Sequence, residues 1–133
     1  MVLEMKVLVC GDREWSDRQL ILNTLCALNP EMEGTANPLS GMTLIVGGAR
    51  GADTIAEHLG HMFGASIPKV YHADWSKYGN AAGPIRNREM LDQNPNLVLA
   101  FHDELTRSKG TIDTVTEAKR RGIKVRLVRH NTG

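Results

Sequence analysis

Two cysteines, Cys10 and Cys26, are too few for a disulfide framework or a four-cysteine metal centre, which points to a reducing cytoplasm. The formal charge of +1 over 133 residues carries no global signature of a nucleic-acid or membrane partner. No apolar run approaches the roughly 20 residues needed to cross a bilayer. The opening Met-Val-Leu-Glu-Met-Lys holds an acid and leads into a strand pattern, so it does not read as a signal peptide. The histidines His58, His61, His72, His102 and His130 lack a metal-ligand spacing. His58 and His61 lie three apart on an expected helix, but no third ligand follows, and neither a metal nor a cofactor is expected. There is no Gly-x-Gly-x-x-Gly after the first strand and no Gly-Lys-Ser/Thr closing a glycine loop, which excludes a standard NAD site and a P-loop. No Ser-His-Asp arrangement, internal repeat, low-complexity tract or linker can be read.

What is present is a single-domain pattern, residues 1–133, in which short apolar runs alternate with helical periods. Strands are expected at Met5–Cys10, Met42–Val46, Pro68–His72, Leu97–Phe101 and Lys124–Val128. Helices are expected from an Asp17 cap to Leu28, from Ala52 to Phe63 before Gly64, from Pro84 as first helical residue to Gln93, and from Gly110 to Arg121 before Gly122. Asn29 to Met42 reads as a surface loop and Ala73 to Gly83 as a long polar loop. Near-continuous apolar strands alternating with helices make an α/β fold, a parallel sheet covered on both faces. By analogy with doubly wound sheets, about five strands in the order 3-2-1-4-5 are expected, with the ligand site outside the carboxyl ends of the strands.

The unusual residues then gather on that rim. The strongest signal is Thr43-Leu-Ile-Val-Gly-Gly-Ala-Arg-Gly-Ala-Asp53, a strand, a glycine loop and a helix N-terminus. Gly47, Gly48 and Gly51 let backbone approach an anion, and the helix end favours one, so a phosphorylated small molecule is expected there. Ser108-Lys-Gly110-Thr111 is a second cradle, offering hydroxyls and another helix start. Arg13, Arg50 and Arg86 are candidate anion forks, and Arg86, which opens a helix, needs an anionic partner. Asp53 and Asp12 can accept from ribose hydroxyls; Asp53 is equally well explained as dipole stabilisation. Trp15, Trp75 and Tyr78 stand in polar loops, where one could stack a base or pack over the core edge. The basic run Lys119-Arg120-Arg121, with Lys124, Arg126 and Arg129, reads as a solvated helix face, with a modest nucleic-acid patch as the alternative.

Taken together, Gly11-Asp-Arg13, Val46-Gly-Gly-Ala-Arg-Gly-Ala-Asp53, Asp74-Trp75, Ala82-Gly-Pro-Ile-Arg-Asn87-Arg-Glu-Met90 and Ser108-Lys-Gly-Thr111 resemble the SLOG superfamily, in its YspA-like, YpsA-related branch. The resemblance spans nearly the whole chain except the loop from Asn29 to Met42. It implies a three-layer Rossmann-like fold that binds a nucleotide or a derivative such as AMP, ADP-ribose or an NAD-derived molecule. The implied ligand residues are Gly11, Arg13, Gly47, Gly48, Arg50, Gly51, Asp53, Arg86, Asn87, Ser108, Gly110 and Thr111, with Trp75 under a base. The superfamily also holds the Lonely guy phosphoribohydrolases and the DprA single-stranded DNA binders. Against the Lonely guy motif Arg-Lys-x-x-Met, Arg86 to Met90 fits with Asn87 in place of lysine. Against Pro-Gly-Gly-x-Gly-Thr-x-x-Glu, Gly110-Thr111 match, while the catalytic glutamate position falls on Thr114. A threonine cannot supply the charge that an oxocarbenium-like sugar needs, so a hydrolase would rely on Arg86 and the neighbouring Asp113. The expected function is binding of a nucleotide-derived ligand, as a sensor or divergent processing protein, with phosphoribohydrolase and single-stranded DNA binding as alternatives. Self-association of related proteins makes a homodimer plausible; no membrane partner is expected.

Overall fold

The computed structural model describes residues 4–130. Four strands, β1 (Met5–Gly11), β2 (Met42–Ile45), β3 (Leu97–Phe101) and β4 (Val125–Val128), form one parallel sheet in the order β2-β1-β3-β4. Val7 of the central strand lies opposite Leu44 on one side and Leu97 on the other. Five helices connect and cover the sheet: α1 (Arg18–Ala27), α2 (Ala52–Phe63), α3 (Trp75–Tyr78), α4 (Ala82–Leu91) and α5 (Lys109–Arg120).

The period of two along each strand sorts the side chains between two cores. Val7, Val9, Leu97, Leu99 and Phe101 pack under α1 and α2 with Ile21, Leu25, Ala56 and Leu59. Leu8, Cys10, Val98 and Ala100 pack under α4 and α5 with Met90, Leu91, Val115 and Ala118. β3 is buried along its whole length. Such strands are apolar throughout because helices cover both faces, which is the expected doubly wound layering.

The sheet has four strands where five are expected. The Pro68–His72 segment runs along the outer edge of β2 but makes only isolated bridges, Ser66 to Thr43 and Val70 to Val46. Pro68 has no N–H to give a ladder, and none of residues 66–72 is fully buried. The polar segment before Pro84 also differs from expectation. It folds as α3 and a 3-10 turn, Gly79–Ala81, that runs straight into α4. Pro84 is therefore the third residue of α4, still in the turn whose N–H groups lack helical acceptors.

Asp17 caps α1 as expected, accepting from the Leu20 N–H at 3.0 Å. The loop between α1 and β2 is pinned by buried Leu39 and by Asn29, whose amide donates to the carbonyls of Pro38 and Ser40 at 3.2 and 3.1 Å. Among the described residues no helix is long and apolar enough to cross a membrane.

Candidate functional site

Parallel strands deliver their following loops to one edge. After β1, the Asp12 N–H donates to the Phe101 carbonyl at 2.9 Å, while the Asp12 carbonyl accepts from Trp15 and Ala52 at 3.1 and 3.2 Å. The first amide of α2 is thus taken by the β1 loop. This close approach requires Gly51: its φ is +81°, and a Cβ there would collide with the Asp12 and Arg13 backbone. Gly51 consequently joins two loops and lines neither cavity described below. Trp15 is buried, edge-on to Phe101 and stacked on His130, so packing rather than base stacking explains it.

Two adjoining cavities open along the rim. The first, about 360 Å³, lies between the β1 loop and the start of α5, and takes Gly11, Arg13, Arg50, Asp53, Arg86, Asn87, Ser108, Gly110 and Thr111 into its wall. The second, about 300 Å³, is bounded by Gly47, Gly48, His72 and Trp75. Arg13, Ala49, Arg50 and Arg86 border both. Trp75 is 53% exposed, the side chain best placed to meet a flat ring.

Asp53 and Arg86 are the centre of the site. Asp53 Oδ2 accepts from the Gly47 N–H at 3.1 Å, and Arg86 Nη1 donates to the Gly47 carbonyl at 2.6 Å. A Cβ on Gly47 would stand 2.7 Å from Arg86 Nη1 and 2.9 Å from Asp53 Oδ2, so a larger residue there would displace one of the two side-chain ends. The two charged groups form no direct ion pair with each other. Burial pushes the Asp53 carboxyl up to about 6, against the opposing pull of Arg86 and the backbone N–H groups. Burial likewise lowers the Arg86 guanidinium, with Asp53 opposing. Arg86 also donates to the Tyr71 carbonyl at 3.3 Å and to Asn87 Oδ1 at 3.0 Å. Buried Asn87 passes the connection on, donating to the Gly110 carbonyl at 3.3 Å and Asp113 Oδ2 at 3.0 Å.

At the start of α5, Ser108 is the N-cap. Its Oγ accepts from the Thr111 N–H at 3.4 Å and donates to Thr111 Oγ1 at 2.9 Å. The cap leaves the amides of Lys109 and Gly110, the first two helical residues, at the cavity wall. Thr114 lines the cavity with its hydroxyl donating to the Gly110 carbonyl at 3.2 Å. Asp113 does not. Its carboxylate is engaged by Asn87 and, at 3.2 Å, by Arg88.

Arg50 is exposed and reaches Glu14 at 2.5 Å, a surface pair that is released at little cost. Arg13 has no ion-pair partner among the described residues. Cys10 closes the floor of the first cavity, and burial raises its thiol far above the ordinary range. His102, the residue after β3 on the rim, is also a wall residue. Its Nδ1 accepts from the Glu104 N–H at 3.0 Å, which puts the proton of the neutral ring on Nε2. Its one signal in the sequence is its place directly after a buried strand.

A family model described as YAcAr, the YspA, cpYpsA-related SLOG family, matches residues 5–78. The chain belongs to this family. The matched stretch runs from β1 through α3 and includes Gly11, Arg13, the Gly47–Asp53 loop and Trp75. The chain is also similar to "Gene 61 protein" of Mycobacterium phage D29, at 36% identity over 124 residues, covering 90% of this chain and 93% of the relative. Membership of this SLOG family points to a nucleotide-related function.

Proposed function

We propose that the chain binds a nucleotide or nucleotide-derived phosphorylated ligand along the two joined cavities, and acts as a binding or sensing protein. The observation that carries this reading is the shared wall of Arg13, Arg50 and Arg86 between one cavity ending at a capped helix start and another ending at an open tryptophan. Phosphate oxygens would take N–H bonds from the start of α5 and charge from Arg13, Arg50 and Lys109. A base would lie against Trp75. Gly11, Asn87, Ser108 and Thr111 complete the wall around the ligand.

Binding is favoured over phosphoribohydrolysis by the arrangement of α5. Thr114 occupies the wall where the Lonely guy pattern carries its glutamate, and Asp113 is spent on Asn87 and Arg88 outside the cavity lining. The test is a thermal-shift screen with AMP, ADP, ATP, cyclic nucleotides, NAD and ADP-ribose, each sample then separated by chromatography. A ligand bound only by the folded chain raises the melting temperature once its concentration exceeds its dissociation constant. A shift with ligand recovered intact is the expected result. Release of base or ribose phosphate would make the chain a hydrolase. No shift with any of them would overturn the reading and favour single-stranded DNA, whose binding would weaken steeply with salt.

A further inference from the structure

We propose that Asp53 and Arg86, held apart by Gly47, form a sugar subsite that reads a ribose diol, so that the site prefers ribonucleotides to their 2′-deoxy counterparts. This rests on the reading of the cavities as a nucleotide site and adds which part of the ligand goes where.

The fold treats these two opposite charges unusually. Buried carboxylate and guanidinium groups are ordinarily stabilised by direct, doubly hydrogen-bonded pairing. Here each is tied instead to backbone, Asp53 to the N–H groups of Gly47 and Ala49 and Arg86 to the carbonyls of Gly47 and Tyr71. Neither group satisfies the other, and Asp53 borders the first cavity while 95% buried, its relative exposure being 5%. An ionised carboxylate only accepts hydrogen bonds, so its ligand partner must be a donor.

Charge decides which donor. A phosphate beside Asp53 would be repelled, and the nearby Arg86 charge is already offset by Asp53. Lys109, which has no ion-pair partner among the described residues, lies at the α5 end of the cavity, while Arg13 is near enough to Asp53 and Arg86 to act on both. A neutral hydroxyl pair fits the Asp53 end and an anion fits the α5 end, which is the arrangement of a ribose 5-phosphate unit. Asn87, in contact with Arg86 and bordering the same cavity, offers a further polar edge to the sugar.

The test is calorimetric titration of the full chain with AMP, ADP and ribose 5-phosphate, each beside its 2′-deoxy counterpart. Tenfold or weaker binding of the deoxy forms is expected, because a buried acceptor loses its donor. In Asp53→Asn the ribo forms should fall to the affinity of the deoxy forms, while the deoxy forms change little. Equal affinity for ribo and deoxy ligands in the unaltered chain would overturn the subsite and leave nucleotide binding standing. An equal loss for both in Asp53→Asn would reduce Asp53 to a brace for the Gly47 loop and also overturn it. No binding of any of these ligands would overturn the subsite, and the nucleotide reading falls with it only if the wider thermal-shift screen also shows no shift.

Discussion

Helix α4 carries two arginines, two residues apart, that meet opposite fates. Arg88 turns toward α5, where it pairs with Asp113 at 3.2 Å and Glu117 at 3.8 Å. Glu117 is also gripped by Arg120 at 2.5 Å and Arg121 at 2.9 Å, and Arg121 reaches back to Asp92 at 2.7 Å. The Arg120 and Arg121 side chains hold the Glu117 carboxyl down at about 2. Arg86 turns toward the rim and finds carbonyl oxygens, with its opposite charge, Asp53, beyond a glycine. Burial drives that carboxyl the other way, up to about 6. Matched charge ties α4 to α5; imperfectly matched charge lies at the cavities. The number of charged residues therefore says less about function than whether their hydrogen-bonding capacity is already used.

The comparison breaks most visibly at Arg86. Arg86→Ala removes the bonds to Gly47 and Tyr71 and leaves Asp53 buried without its main countercharge, so denaturant unfolding at pH 8 should show a loss of about 3 kcal/mol. The loss should shrink at pH 5, where Asp53 is protonated, and nucleotide affinity should be abolished at either pH. An unfolding midpoint unchanged at pH 8 would mean that Asp53 and Arg86 do not depend on each other.

The pH dependence of the unaltered chain comes next. Between the ordinary Asp value of 3.8 and about 6, the folded chain holds a proton on Asp53 that the unfolded chain releases. Stability contributed by that proton is lost as pH rises through the window, by about 3 kcal/mol in all. His130 adds the same sign: the hydrogen bonds its ring donates to the Asp103 and Asp17 carboxylates raise its pKa, so its contribution is present at low pH and lost as pH rises through the folded value. Glu117 has the opposite sign, its stabilisation present above 4.5 and lost as pH falls toward about 2. Melting temperatures should therefore be higher at pH 5 than at pH 7.5, and Asp53→Asn should flatten that slope.

Smaller effects sharpen the contrast. Ser108→Ala should cost about 1 kcal/mol through the lost cap, and should weaken phosphate-bearing ligands more than their unphosphorylated nucleosides. Arg88→Ala or Asp113→Asn should cost up to about 1 kcal/mol in unfolding experiments, since their pair is partly solvated. Calorimetry should show unchanged ligand affinity in both. Glu14→Gln should move stability by no more than about 0.5 kcal/mol while freeing Arg50, so affinity should hold or rise.

The apolar strands and the rim loops were legible because burial on both faces writes a continuous hydrophobic run, and a loop that cannot bear side chains writes glycine. β1, β2 and β3 are recognisable in that way, whereas the edge strand β4, Val-Arg-Leu-Val, is only partly buried and shows a shorter apolar signal. The edge segment at Pro68 imitates a strand in composition, but pairing depends on N–H groups and a covered face that composition does not record. Asp113 and Thr114 are adjacent in sequence, yet one residue of helix turns a side chain by about 100°. Motif spacing brings both to the same turn of α5; only the Ser108 cap and the packing on α4 decide which one meets the cavity. Asp53 and Arg86 were each readable as ligand groups, but their common attachment to Gly47 joins residues 39 positions apart and needs the fold. His102 was readable only by its place directly after a buried strand.

The unlike settings of the two tryptophans have an optical consequence. Trp15 is 5% exposed and stacked on His130 with ring centres 4.3 Å apart, whereas Trp75 is 53% exposed at the second cavity. The native chain should emit as two populations, a blue-shifted one from the dry indole and a red-shifted one that dissolved iodide can quench. A molecule settling in the second cavity shields only the latter, while unfolding exposes both. One untagged sample thus carries separate light signals for occupancy and for integrity.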